Sequence, residues 1–207
     1  MSLSRMPRLA MPLLVLSGLL AGCSLLPERE PVRLFTLSEP SLSASPGSAC
    51  DLTLRVDTPS AGSPLDGPRL LIMPSPGEFQ AYAGARWRDD APLLVRDHLI
   101  EAFRLDGRLA AVVDDASRAR SDATLASQLG AFYSRYRKGT LEVMVRLDVQ
   151  LLDEANREVL ASQRIEVAAP SDDDSLESVV EAFGRAADQL ASELVDWTLR
   201  ELASQKS

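Results

Sequence analysis

Cys23 is one of only two thiols in the 207 residues, and its setting specifies a reaction. It closes the run Leu20-Ala21-Gly22-Cys23 at the end of an apolar stretch and is soon followed by Pro27 and charge. A thiol there has two fates: nucleophilic attack on an electrophile, or a disulfide with Cys50. The rest of the chain offers little other chemistry. The single histidine, His98, lies among Arg96, Asp97 and Glu101, and that company predicts a solvated helix face. There is no GxSxG, HExxH, CxxC or phosphate loop. Serines are numerous, but no spacing puts a base beside one. Asp172-Asp173-Asp174 lacks the spaced oxygen ligands and turn glycine of a calcium loop, so it reads as acid gathered at a helix N-terminus. No metal or cofactor site is expected. Tyr133, Arg135, Tyr136, Arg137 and Lys138 form a basic-aromatic cluster, suited to lipid head groups, to a partner, or simply to an exposed hairpin tip.

The elements around Cys23 decide between its two fates. Arg5 and Arg8 make a positive start, Leu9 to Leu20 is largely apolar, and Ala21 and Gly22 are small. This is the layout of a secretory signal, and its apolar part is too short to span a bilayer. Leu20-Ala21-Gly22-Cys23 resembles the bacterial lipobox. That resemblance implies cleavage after Gly22 and transfer of diacylglycerol to the Cys23 thiol. Three acyl chains, at about 0.8 kcal/mol per buried methylene, make such an anchor effectively permanent. The alternative is an ordinary secreted protein with Cys23 bonded to Cys50. Ser24 follows the cysteine, where bacterial sorting uses Asp for inner-membrane retention, so the expected location is the periplasmic face of the outer membrane. Arg5 and Arg8 precede Cys23 and no acidic residue does, so the chain from Cys23 onward carries 20 basic against 30 acidic residues, a net charge of −10. That balance opposes nucleic-acid binding. Expected boundaries are a signal peptide over 1–22, a lipidated N-terminus and tether over 23–31, a folded body over 32–203 and a tail over 204–207.

The body reads as α+β. Val32 to Leu37, Leu52 to Val56, Leu70 to Met73, Phe79 to Trp87 and Leu109 to Val113 have strand character, separated by loops over 40–49 and 59–68. Leu141 to Leu151 alternates strictly, apolar at every odd position, which predicts one dry and one wet face. With Ala123 to Tyr136 before it and Val159 to Val167 after, it predicts an antiparallel meander. A helix begins near Asp90 and Pro92, carries Val95, Leu99, Ala102 and Phe103 on one face, and ends at Gly107. A second, capped by Asp174 with Glu177 three residues on, carries Leu176, Val180, Phe183, Ala187, Leu190, Leu194 and Trp197 as one stripe. That stripe suits a cover for the sheet better than a coiled-coil seam. The expected fold is an antiparallel sheet with long meander strands, covered on one face by two helices. The apolar faces account for each other and leave no surplus to line a lipid cavity.

Arg33-Leu34-Phe35-Thr36-Leu37 soon after the lipobox is similar to the opening strand of the ABC-type transport auxiliary lipoproteins, the PqiC-like group. Tyr82-Ala83-Gly84-Ala85-Arg86-Trp87, with the acidic pair, Pro92 and the Leu-rich helix after it, resembles that family's Arg-Trp motif. The resemblance implies a non-catalytic component that works with an ABC permease, its ATPase and an MCE-domain protein to move lipids or other hydrophobic substrates between membranes. On that reading Arg86, Trp87, Tyr133, Tyr136 and Arg137 are candidate partner contacts, with a homo-oligomer an option. A core position for Trp87 is the competing expectation. A lipoprotein regulator of an envelope enzyme such as a cell-wall synthase, or a lipid-binding shuttle, are the alternative functions.

Overall fold

The computed structural model describes residues 31–44 and 50–205. The signal segment, Gly22, Cys23 and the tether up to residue 30 lie outside the described residues.

The strict alternation of 141–151 becomes the spine of the sheet. Strands β7 (Ala123–Arg137), β8 (Thr140–Asp153) and β9 (Glu158–Pro170) form the expected antiparallel meander. Leu141, Val143, Val145, Leu147, Val149 and Leu151 are all buried on one face. Ion pairs between neighbouring strands run across the other face, among them Arg135 with Glu142 at 2.8 Å, Arg146 with Glu166 at 3.6 Å and Arg164 with Asp148 at 2.5 Å. Arg137 and Thr140 pair directly, so Lys138 and Gly139 alone make the turn, both at positive φ (52° and 83°), where glycine is at ease and lysine is not.

The other edge of β7 holds three shorter strands in series. β2 (Cys50–Val56) pairs with Ala123–Leu125, β3 (Ser60–Ala61) with Gln128 and Leu129, and β4 (Arg69–Ser75) with Ser134 and Arg135. All three run parallel to β7, so residues 50–75 behave as one interrupted strand, and the expected loop over 59–68 contains β3. β5 (Glu78–Trp87) returns antiparallel along β4, and β1 (Arg33–Phe35) joins the outer edge of β5 in parallel. β6 (Leu109–Asp114) lies parallel to β2. The α+β class stands, with a sheet that is antiparallel in the meander and the β4–β5 hairpin and parallel elsewhere. Alternation reports which face a side chain takes and is silent on the direction of the neighbouring strand.

Helix α1 (Ala91–Asp106) starts after Asp90 with Pro92 in its first turn and ends at Gly107, and Val95, Leu99, Ala102 and Phe103 are buried as expected. Helix α2 (Leu176–Ser204) starts one residue later than the pattern suggests. Its cap is Ser175, whose Oγ accepts the Ser178 N–H at 3.2 Å, and not Asp174. Asp173 accepts the Ser175 N–H at 2.8 Å, which fixes the turn ahead of the cap. Glu177 is thereby too early to close a capping box and pairs with Arg33 instead. α2 lies on β8 and β9 and against α1. It buries Val179, Ala182, Ala186, Ala191 and Val195 beside the expected stripe, while Leu176 and Val180 are only half-buried. A face this wide fits a cover between a sheet and a second helix, not a two-stranded seam.

Candidate docking surfaces

The Tyr82-Ala83-Gly84-Ala85-Arg86-Trp87 segment lies on β5 opposite β4, where Leu71 pairs with Ala81 but Arg69 pairs with Arg86. Two steps along β4 thus span five along β5. The surplus bulges at Gly84, whose φ of 64° is open to glycine at no cost. The bulge sets which face each later residue of β5 takes. Trp87 points into the core, fully buried, with ring centroids 5.4 Å from Phe132 and 5.0 Å from Phe183. Its indole Nε1 has no hydrogen-bond partner among the described residues. Trp87 is therefore a packing residue, as the competing expectation held, and in this fold it has no surface to offer a partner. Arg86, one residue earlier, is exposed on the other face.

The remaining candidates do not converge. Tyr133 is half-buried edge-on against Phe79, centroids 5.2 Å apart. Tyr136 is 49% exposed near the hairpin tip, and Arg137 beside it is exposed, 4.0 Å from Glu142. Partial desolvation and nearby Asp174 raise the pKa of the Tyr136 hydroxyl. Arg86 sits elsewhere on the sheet, in a row formed by Leu34 of β1, Arg86 of β5 and Arg69 of β4.

His98 contradicts its expected place on a solvated face. It is buried between α1 and α2, with Nε2 3.1 Å from Asp188 Oδ1, while Ser41 Oγ donates to Asp188 Oδ2 at 2.6 Å. Burial holds the imidazole below its ordinary pKa; Asp188 and the Ser38 backbone oppose that shift without overcoming it. The order hydroxyl, carboxylate, imidazole puts the carboxylate and not the imidazole at the serine, which is not the order of a Ser-His-Asp triad. It ties the segment after β1 to both helices. The sequence carried no signal for this contact, since Ser41, His98 and Asp188 meet only in the tertiary structure.

A cleft of about 620 Å³ opens at the end of β7 away from the Lys138-Gly139 turn. Leu52, Leu160 and Leu202 supply apolar wall, and Arg120, Asp122 and Glu154 supply charge. Arg55 shapes one side. Its guanidinium donates to the carbonyls of Asp114 (2.9 Å), Ser117 (3.0 Å) and Ala119 (2.6 Å) and to Ser121 Oγ (3.3 Å), which fixes the loop after β6. Glu154 accepts a hydrogen bond from Thr124. Among the described residues no group of three or more His, Cys, Asp or Glu side chains could hold a metal ion.

A mixed sheet covered by two helices defines an α+β protein. The chain belongs to the family of ABC-type transport auxiliary lipoprotein components, which matches residues 35–195. Membership makes it a membrane-anchored envelope protein auxiliary to an ABC-type transport system. It is similar to a Xanthomonas campestris protein of known crystal structure at 31% identity, with a TM-score of 0.78 over 84% of this chain and 99% of that one. A second solved protein shares the fold at 15% identity, with a TM-score of 0.64 over 81% of this chain and 98% of the other. A protein of Bradyrhizobium diazoefficiens is 27% identical over 147 residues, which is 71% of this chain and 39% of the relative, so the chain spans about two fifths of that relative's length.

Proposed function

We propose that Cys23 carries a diacylglyceryl anchor in the periplasmic leaflet of the outer membrane, and that the body is a non-catalytic docking component for the MCE-domain protein of an ABC permease and ATPase system. The observation that carries this reading is the separation of the cleft from the point where the tether joins. Arg69, level with β1, lies three residues before Ile72, the partner of Ser134, and so stands level with Ala131 on β7. Ala123, in the cleft, is eight residues further along β7. At about 3.3 Å per residue that is about 26 Å. A tether of eight residues from Ser24 to Pro31 reaches at most about 28 Å. The cleft thus stands clear of the β1 edge, where the tether joins, and is open to a partner. Tyr136 and Arg137, at the other end of β7, form a second contact surface.

A photo-reactive residue at Arg120 or Glu154 in cells tests the docking. Capture of the MCE protein is expected, and capture of a penicillin-binding protein instead would favour an enzyme regulator. Cys23→Ser should release the chain from the outer membrane; a variant that stays bound refutes the anchor.

A further inference from the structure

Across the face of the sheet opposite the helices, charge is handled in two ways. The meander side is paired: Arg135 with Glu142, Arg146 with Glu166, Arg164 with Asp148. The β4–β5–β1 side is not. There Arg69 and Arg86 stand directly opposite each other on adjacent strands, both exposed. Neither makes an ion pair or side-chain hydrogen bond among the described residues. Like charges directly opposite across a ladder are destabilising. The chain from Cys23 onward has ten more acidic than basic residues, so it did not lack carboxylates to place there.

The next residue in the row is Leu34, 56% exposed, and Val32 two positions earlier is 54% exposed. Both sit at the first residues after the tether. Two guanidiniums without an ion-pair partner among the described residues, beside two exposed aliphatic side chains, make a surface that seats on phosphate head groups with acyl chains beneath.

We propose that the row Arg69, Arg86 and Leu34, with Val32, is a membrane-facing surface that seats on the anionic phosphate head groups of the leaflet holding the anchor. The proposal rests on lipidation of Cys23. Nine residues from Cys23 to Pro31 join this edge to the anchor, so it lies within reach of that leaflet. The anchor supplies the affinity, and the patch sets which edge of the sheet faces down. It thereby directs the cleft away from the membrane.

The test uses the full lipidated protein in vesicles of phosphatidylethanolamine and phosphatidylglycerol at about 3:1. In a Cys50→Ser background, Leu34→Cys and, separately, Asn156→Cys carry an environment-sensitive fluorophore. Quenching by a lipid-borne quencher should be at least about fivefold greater at position 34 than at position 156, the scale set by one basic side chain at an anionic surface. Arg86→Glu places a carboxylate opposite Arg69. The urea midpoint should hold or rise while quenching at position 34 falls about fivefold or more, and vesicles without phosphatidylglycerol should reproduce that fall. Equal quenching at 34 and 156 on protein whose intact mass shows the lipid overturns this proposal alone. So does a signal at 34 that ignores both Arg86→Glu and phosphatidylglycerol, the result expected if the tether alone brings this edge to the bilayer. An intact mass without lipid on Cys23 overturns the anchor reading itself.

Discussion

Replacing Trp87 separates a packing residue from an interface anchor. Its indole is fully buried and touches Phe132 and Phe183, whose own centroids are 4.7 Å apart, so the three rings form one closed cluster beneath α2. Truncation to Ala removes the largest side chain of that cluster and leaves a cavity between a strand and a helix that cannot both close on it. Comparable truncations cost about 3–5 kcal/mol, and each broken ring pair contributes about 0.5–1.5 kcal/mol within that total. Against a typical domain stability of about 5–15 kcal/mol, Trp87→Ala should consume about a fifth or more of what the fold has. Trp87→Phe should behave differently. It keeps a ring between Phe132 and Phe183 and deletes an Nε1–H that has no acceptor among the described residues, a group that costs about 1–3 kcal/mol when buried unpaired. Loss of packing and relief of that penalty then nearly offset, leaving Trp87→Phe within about 1 kcal/mol of wild type. Urea unfolding followed by far-UV circular dichroism, with the slope checked for constancy, reads both. A Trp87→Ala midpoint corresponding to less than about 1 kcal/mol would refute the core assignment and restore Trp87 as a surface residue.

Three further outcomes rest on the packing. His98 has a folded-state pKa below the ordinary 6.5, so the unfolded chain takes up the proton first as pH falls. Its stabilising contribution is present above about pH 6.5 and is lost progressively below it; His98→Gln should flatten the fall in urea midpoint between pH 7.5 and 5, and parallel curves for the two proteins would disprove the linkage. Arg55→Ala should cost about 2 kcal/mol by removing the donors to the carbonyls of Asp114, Ser117 and Ala119, of which Asp114 keeps the Ser117 N–H, with Arg55→Lys recovering less than half, since one ammonium cannot span the three; hydrogen exchange over residues 115–122 reports the same loosening. Ser175→Ala should cost about 1 kcal/mol and Asp174→Ala only a few tenths, and the reverse ranking in thermal melts would return the cap to Asp174.

Much of this architecture is written in the order of the residues alone. The alternation of Leu141 to Leu151 fixed strand β8 and its dry face, because a period of two has no other low-energy backbone. Pro92 and Gly107 bounded the first helix through what each does to the backbone at a helix end. The small-residue run before Cys23 and the Tyr82 to Trp87 segment pointed to the lipoprotein family by local pattern.

What stayed hidden depends on which elements meet. The bulge at Gly84 decides that Trp87 faces inward and Arg86 outward, and no periodicity in residues 78–87 announces an insertion that only the register with β4 defines. His98 lies in a charged neighbourhood along the chain yet is buried, because Asp188 on the other helix and Ser38 after the first strand close over it. The parallel seating of β2, β3 and β4 along β7 comes from the path of the chain, which side-chain alternation does not record. The opposed arginines at 69 and 86 are seventeen residues apart in sequence and become neighbours only through strand pairing. Local backbone preference is written in neighbouring residues, whereas register, direction and burial of a polar group are settled by contacts between residues far apart along the chain.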